Sequence, residues 1–274
     1  MTVSAKVIAD SYGAQSPRLT TLVLTYPRYI HAQFMTHRVF SRNASSSRAI
    51  PVAKVMEAVA ADPVRPLNWR ENKKGMQGGD IFEAAREERA KEVWDRAMHA
   101  ALKAAQELRA LGAHKQLVNR ILEPFSHITV VVSSTKWGNF FRLRSHEAGA
   151  QDEIDALAAV IKEAMGASVP RLLVGGDWHL PFVSDAEREA LTASEALRSS
   201  VARCARVSYN KHDGLSPSRE DDDTLYTTLL TSKHFSPFEH QATPAFGSEG
   251  LPGNFDRGWT QYRKTLEGEA LSET

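Results

Sequence analysis

The 274 residues fit one large domain or two small ones, and 42% hydrophobic with 24% charged residues excludes wholesale disorder. Thirty-four basic against 33 acidic residues leave a net charge of +1, too small for a chain built to coat nucleic acid or an anionic membrane. Met1 to Lys6 shows no charged-then-apolar leader and no apolar run reaches about 18 residues. The single cysteine, Cys204, excludes an internal disulfide framework and a cysteine-rich zinc site. A soluble, cytoplasmic protein is expected, an enzyme or a ligand-binding domain, with neither nucleic acid nor membrane as partner.

In chain order, residues 19 to 25 are β-branched and aliphatic and Pro27 closes the run, which predicts a buried strand. Pro27 then opens a short helix with Ile30, Phe34 and His37 near one face. Ser41 to Ser47 carries four serines and Asn43, side chains that bond to backbone, and is expected to be a loop. Pro51 opens a second helix over Val52, Val55, Met56 and Val59. Asp62 to Gly79, with two prolines and three glycines, reads as a mobile connection or lid.

Asp80 and Glu83 fit a capping box. A helix is expected from about Ile81 to Leu111, with Trp94, Ala97, Ala101, Ala105 and Leu108 on one stripe and Gly112 as its stop. Its length, roughly 46 Å at 1.5 Å per residue, suits a break or a subunit contact. A further helix carries Leu117, Val118 and Ile121, and residues 129 to 132 form a short strand. Ile154, Leu157, Ala158, Ile161, Ala164 and Met165 recur at helical spacing. A loop-rich stretch from Gly166 ends in a capping box at Ser184 to Glu187, and a helix runs toward Arg203. A turn spans Asp213 to Ser218, and the aspartates at 221 to 223 cap a helix bearing Leu225, Tyr226, Leu229 and Leu230. The order is mixed α/β, without tandem repeats.

Four islands mix charge, amide and hydroxyl groups beside apolar runs. The first is Gln33 to Arg38 with Asn43 and Ser45-Ser46-Ser47-Arg48, where backbone amides, hydroxyls and guanidinium forks together suit a phosphate; a solvated polar loop has the same composition. In the second, Gln116, Asn119 and Arg120 share a helical face, as a grip on a base or phosphate or as plain surface. The third, Asn139-Phe140-Phe141-Arg142-Leu143-Arg144 and Gln151, suits a flat heterocycle, while the two phenylalanines suit core. The fourth is Arg206-Val207-Ser208-Tyr209 with His234-Phe235-Ser236-Pro237-Phe238-Glu239-His240. His234 and His240 invite a metal reading, but their spacing and Pro237 keep them off one helical face, and a polar turn fits better. Neither a Gly-x-Gly-x-x-Gly nor a Walker loop is present. Cys204, between Arg203 and Arg206, reads as a small half-buried side chain.

Together these islands resemble the flavin-dependent thymidylate synthase family. Its signature, Arg-His-Arg, seven residues and Ser, is matched by Thr36-His37-Arg38 and Ser46, with Thr36 in place of the first arginine and Ala44 in place of a glutamate. The third and fourth islands are similar to its Asn-Phe-x-x-Leu-Arg, Ala-Gln-x-Glu-Ile, Arg-Val-Ser-Tyr and His-x-[Ser/Thr]-Pro-Phe-Glu-His segments. The last two follow the signature here, whereas they precede it in the family, as in a circularly permuted, phage-type member. The resemblance implies a single catalytic domain over 1–274, with the signature and nucleotide/flavin half in 1–166 and the permuted half in 186–274. It implies an α/β fold, a mixed sheet with surrounding helices, assembled as a homotetramer with sites at subunit interfaces.

The implied activity transfers a one-carbon unit from methylenetetrahydrofolate to C5 of dUMP, with FAD reduced by NADPH and no cysteine nucleophile, which suits a chain holding only Cys204. By carry-over, His37, Arg38, Asn139, Leu143, Gln151, Ser208 and Ser236 contact FAD. Gln33, Ser46, Ser47, Arg48, Arg120 and Arg144 contact the nucleotide, with Arg144 and Ser46 catalytic. Arg263 or Lys264 is a candidate for the cation missing at Thr36. The departures at Thr36 and Ala44 leave two alternatives open: a pyrimidine-nucleotide hydroxymethylase and a non-catalytic nucleotide-binding protein.

Overall fold

The computed structural model describes residues 3–209, 218–245 and 250–266, without the side chains of Ser208 and Tyr209. Five strands form one mixed sheet in the order β3-β4-β2-β1-β5: β1 (Ser4–Gly13), β2 (Leu19–Pro27), β3 (Ser41–Ala44), β4 (His127–Ser134) and β5 (Arg171–Leu173). A separate two-stranded ribbon joins β6 (Ala242–Pro244) to β7 (Trp259–Gln261). Nine helices surround them among the described residues: α1 (His31–Met35), α2 (Val52–Ala61), α3 (Ala84–Ala110), α4 (Lys115–Leu122), α5 (Gly138–Leu143), α6 (Asp152–Ala167), α7 (Asp185–Ala190), α8 (Ala193–Tyr209) and α9 (Arg219–Thr231). Among the described residues no helix is long and apolar enough to cross a membrane.

The two faces of the sheet differ in chemistry because strand side chains alternate. Leu22, Leu24 and Tyr26 stand opposite Val132, Val130 and Ile128 on one face. Ile154, Leu157, Ala158 and Ile161 of α6 close over them in the main core. On the other face Thr21 and Ser41 both register with Ser133. The C-terminal segments cover this side, with Ala242, Phe255 and Trp259 packed on Leu19 and Leu173. Gly258 makes the approach possible: its φ is +92°, and a Cβ there would lie 2.5 Å from the Gln15 carbonyl oxygen.

A buried polar chain crosses this second face. Ser11 Oγ meets His179 Nδ1 at 3.0 Å, His179 Nε2 meets Thr21 Oγ1 at 2.7 Å, and Thr21 Oγ1 meets Ser133 Oγ at 2.5 Å. Ser133 Oγ then reaches His240 Nδ1 at 2.9 Å. Burial pushes both imidazoles down to about 3. An imidazole in the unfolded chain takes its proton near pH 6.5. Between these values the unfolded chain binds protons that the folded chain refuses, so stability falls as pH drops. The melting temperature should therefore decline steadily from about pH 6.5 downward, and His240→Gln should flatten that slope. An unchanged slope would remove His240 as its source.

Several sequence expectations need correcting. Residues 41 to 44 form an edge strand rather than a loop, because β4 supplies ladder partners that local composition cannot show. The capping box at Asp80 does not form: Glu71 N donates to the Asp80 carbonyl and Ile81 bridges Arg70, so the helix starts at Ala84 after an uncapped Glu83. The stripe of α3 runs through Met98, Ala101 and Ala105, while Ala97 is exposed. The 62–79 stretch is tied down, with Arg65 on Asp95 and Arg70 bidentate on Asp152. Ser218 is the cap of α9 and Asp221 returns the bond, so Asp221 and Asp222 lie in the first turn of the helix and the capping residue is the serine before them. The box at Ser184 and Glu187 forms as expected. The turn expected at 213 to 217 lies outside the described residues.

Candidate nucleotide and cofactor site

The chain leaves β3 at Ala44 and runs through the serine segment, which is braced from behind. Ser45 N donates to the Thr129 carbonyl at 2.8 Å, and Ser45 Oγ accepts from Thr129 N at 3.1 Å. Asn119 Nδ2 on α4 donates to the carbonyls of Ser47 and Ile50 at 2.7 and 2.9 Å, and Lys115 Nζ donates to that of Ala49 at 2.9 Å. Ser47 Oγ turns inward to Glu123 Oε1 at 2.7 Å. Held from one side, the segment presents Asn43, Ser46 and Arg48 to a cleft of about 410 Å3.

The opposite wall of that cleft comes from the other end of the chain. His234, Ser236 and Pro237 line it, with Ala205 of α8. Asn43 Nδ2 donates to the Cys204 carbonyl at 3.4 Å, which ties β3 to α8. Gln261 Nε2 donates to both Ser41 Oγ and the Glu239 carbonyl, at 3.1 and 2.8 Å, which ties β3 to the Ser236–Glu239 turn. Pieces of the first and fourth islands therefore meet, although nearly two hundred residues separate them in sequence.

The second island divides. Gln116 lines the cleft, Asn119 is wholly buried as the brace, and exposed Arg120 pairs with Glu123 at 3.0 Å. Arg120 and Ser47 are not among the lining residues. Carry-over by motif cannot distinguish a hydroxyl facing the cleft from one facing a brace.

A second cluster forms where α1, α5 and the start of α6 converge. Arg144 Nε donates to His37 Nε2 at 3.0 Å, and its Nη2 donates to Thr36 Oγ1 at 2.9 Å and the Gln33 carbonyl at 3.2 Å. Gln33 Nε2 donates to Gln151 Oε1 at 2.6 Å. His37 is buried, parallel to Phe40 and against the edge of Phe140 at 5.0 Å. Burial, and then Arg144 and Arg42, hold its imidazole below the ordinary range, so it is neutral and accepts from Arg144. Arg38, Asn139, Leu143 and Gln151 are exposed on the surrounding turns. Gln151 also faces an open cleft of about 700 Å3 between the 66–80 segment and the start of α6. The cation beside Thr36 is thus Arg144, while Arg263 ion-pairs with Glu239.

Ser208 is an expected site residue whose side chain lies outside the described residues. Its neighbour Arg206 is buried on Asp222, a role the motif gave no hint of. Cys204 is wholly buried beside Gln241, and burial pushes its thiol up, away from the thiolate a nucleophile requires. His234 faces the cleft while His240 is spent on Ser133, and among the described residues no group of three His, Cys, Asp or Glu could hold a metal ion.

A family model described as thymidylate synthase complementing protein matches residues 15–171, the span that carries the first three islands. Among solved structures, the chain is similar to the UMP/dUMP methylase PolB from Streptomyces cacaoi bound with 5-Br dUMP: 16% identity over 60% of this chain and 90% of that one, with a TM-score of 0.50. The same protein bound with 5-Br UMP aligns at 15% identity over 60% and 89% of the two chains, with a TM-score of 0.48. No curated protein resembles the chain closely enough to count as a match.

Proposed function

Because the chain belongs to the thymidylate synthase complementing protein family, we propose that it transfers a one-carbon unit to C5 of a pyrimidine nucleotide, with dUMP as substrate and dTMP as product. The observation that carries this reading is the cleft whose lining brings Asn43, Ser46 and Arg48 together with Ser236 from the far end of the chain. The methylase PolB, whose fold this chain shares, is itself described as acting on UMP and dUMP.

The residues present fit a flavin. Met35, Val39 and Leu143 expose apolar surface on the turns that carry His37 and Arg144, and Arg38, Asn139 and Gln151 stand exposed nearby as hydrogen-bonding groups. In this reading those residues and Ser236 hold FAD, which supplies the redox chemistry, with NADPH as reductant and methylenetetrahydrofolate as carbon donor. Arg48 and Ser46 hold the nucleotide phosphate through charge-assisted and hydroxyl bonds. Arg144 donates to the pyrimidine as negative charge develops on the ring. Its fork is already oriented by His37 and Thr36, so little reorganisation accompanies the reaction. We read the active assembly as a homotetramer and residues 186–274 as the permuted half of one catalytic domain.

The test is anaerobic turnover of dUMP with methylenetetrahydrofolate and NADPH, read by product mass. A product heavier by one methylene unit is expected. A hydroxymethyl product would reassign the chain as a hydroxymethylase, and colourless protein that binds dUMP without turning it over would make it a binding protein.

A further inference from the structure

We propose that Thr36 is a positioning residue for Arg144. The inference rests on the nucleotide reading above. The Thr36 hydroxyl spends its one proton on the Gln33 carbonyl, at 2.7 Å, so toward Arg144 Nη2 it acts as an acceptor. His37 Nε2 accepts from Arg144 Nε, which places the imidazole proton on Nδ1, and the packing of Phe40 and Phe140 fixes the ring plane. The guanidinium is thus oriented by three acceptors, two of them from neighbouring residues of one short segment.

None of those acceptors is charged. Among the described residues no carboxylate pairs with Arg144 and no partner meets its Nη1. A planar fork fixed along one edge, with its charge uncompensated, is prepared for an anionic or carbonyl-rich ligand on the other edge.

Thr36 is exposed, so its variants should keep the fold, and melting temperature checks this. Calorimetric titration with dUMP, on flavin-loaded protein, should show Thr36→Ser binding like wild type. Thr36→Val should bind about tenfold more weakly, the loss of one hydrogen bond from a charged donor, with flavin content unchanged. In protein without nucleotide, the nitrogen-15 spectrum of His37 should report the Nδ1–H form in wild type and a shift in Thr36→Val. Unchanged dUMP affinity in Thr36→Val, or a His37 signal indifferent to Thr36→Val, would overturn the proposal. Wild-type protein that ignores dUMP while keeping the His37 response would instead remove the nucleotide reading.

Discussion

Replacing Asp222 with asparagine should lower the unfolding free energy by about 3–5 kcal/mol, the range for removing one partner of a buried ion pair. Asp222 is wholly buried at the start of α9 and accepts from Arg203 Nε at 2.9 Å and from Arg206 Nε and Nη2 at 3.2 and 3.0 Å. Arg203 extends the network to Glu187 of α7 at 2.6 Å and to the Phe182 carbonyl at 2.8 Å. Its hydrogen bond holds the Glu187 carboxyl down at about 2. Asparagine keeps the shape of the side chain but not its charge. The Arg203 and Arg206 guanidinium groups are then left facing a neutral amide. Removing the exposed Lys54–Glu57 pair, by contrast, should cost no more than about 0.5 kcal/mol. Denaturant unfolding of both variants decides the matter, and comparable losses would mean that Asp222 does not hold the network together. The functional consequence is indirect, since α8 packed against α9 sets Ala205 in the cleft wall.

How much of this was legible beforehand follows from where the information sits. The runs at 19 to 25 and 129 to 132 and the helical repeat of Ile154 to Met165 carry their burial pattern within a few residues, and they fold as read. Ser41 to Ala44 does not. Its serine and asparagine favour a loop locally, and only pairing with β4, some ninety residues away, makes it a strand. β1 escaped notice because Lys6, Asp10 and Ser11 break its apolar pattern, yet β2 and β5 pair with it on either side. The site divides in the same way. Ser46, Arg48 and Ser236 stand out by residue type and do line the cleft, whereas Ser47 and Asn119 look alike in sequence and turn inward. Which way a short polar side chain faces is decided by distant partners such as Glu123 and Thr129, and a linear motif does not encode that choice.

Removing the Arg144 guanidinium should cut dUMP turnover about 10²–10³-fold, the cost of deleting one preorganised donor to developing negative charge. Arg144→Ala is the direct variant, and flavin absorbance should stay at the wild-type level because the apolar surface of Met35, Val39 and Leu143 remains. Arg144→Lys should recover little. An ammonium on a flexible stem has no planar fork with which to meet His37 Nε2 and Thr36 Oγ1 together. The sharper measurement is a cycle. If Thr36 acts only through Arg144, Thr36→Val costs activity in the wild-type background and nothing further once Arg144 is alanine. Independent, additive losses would show that Thr36 meets the ligand itself. Near-wild-type turnover in Arg144→Ala would move the developing charge elsewhere, and Arg48, exposed in the cleft wall, would be the next guanidinium to remove.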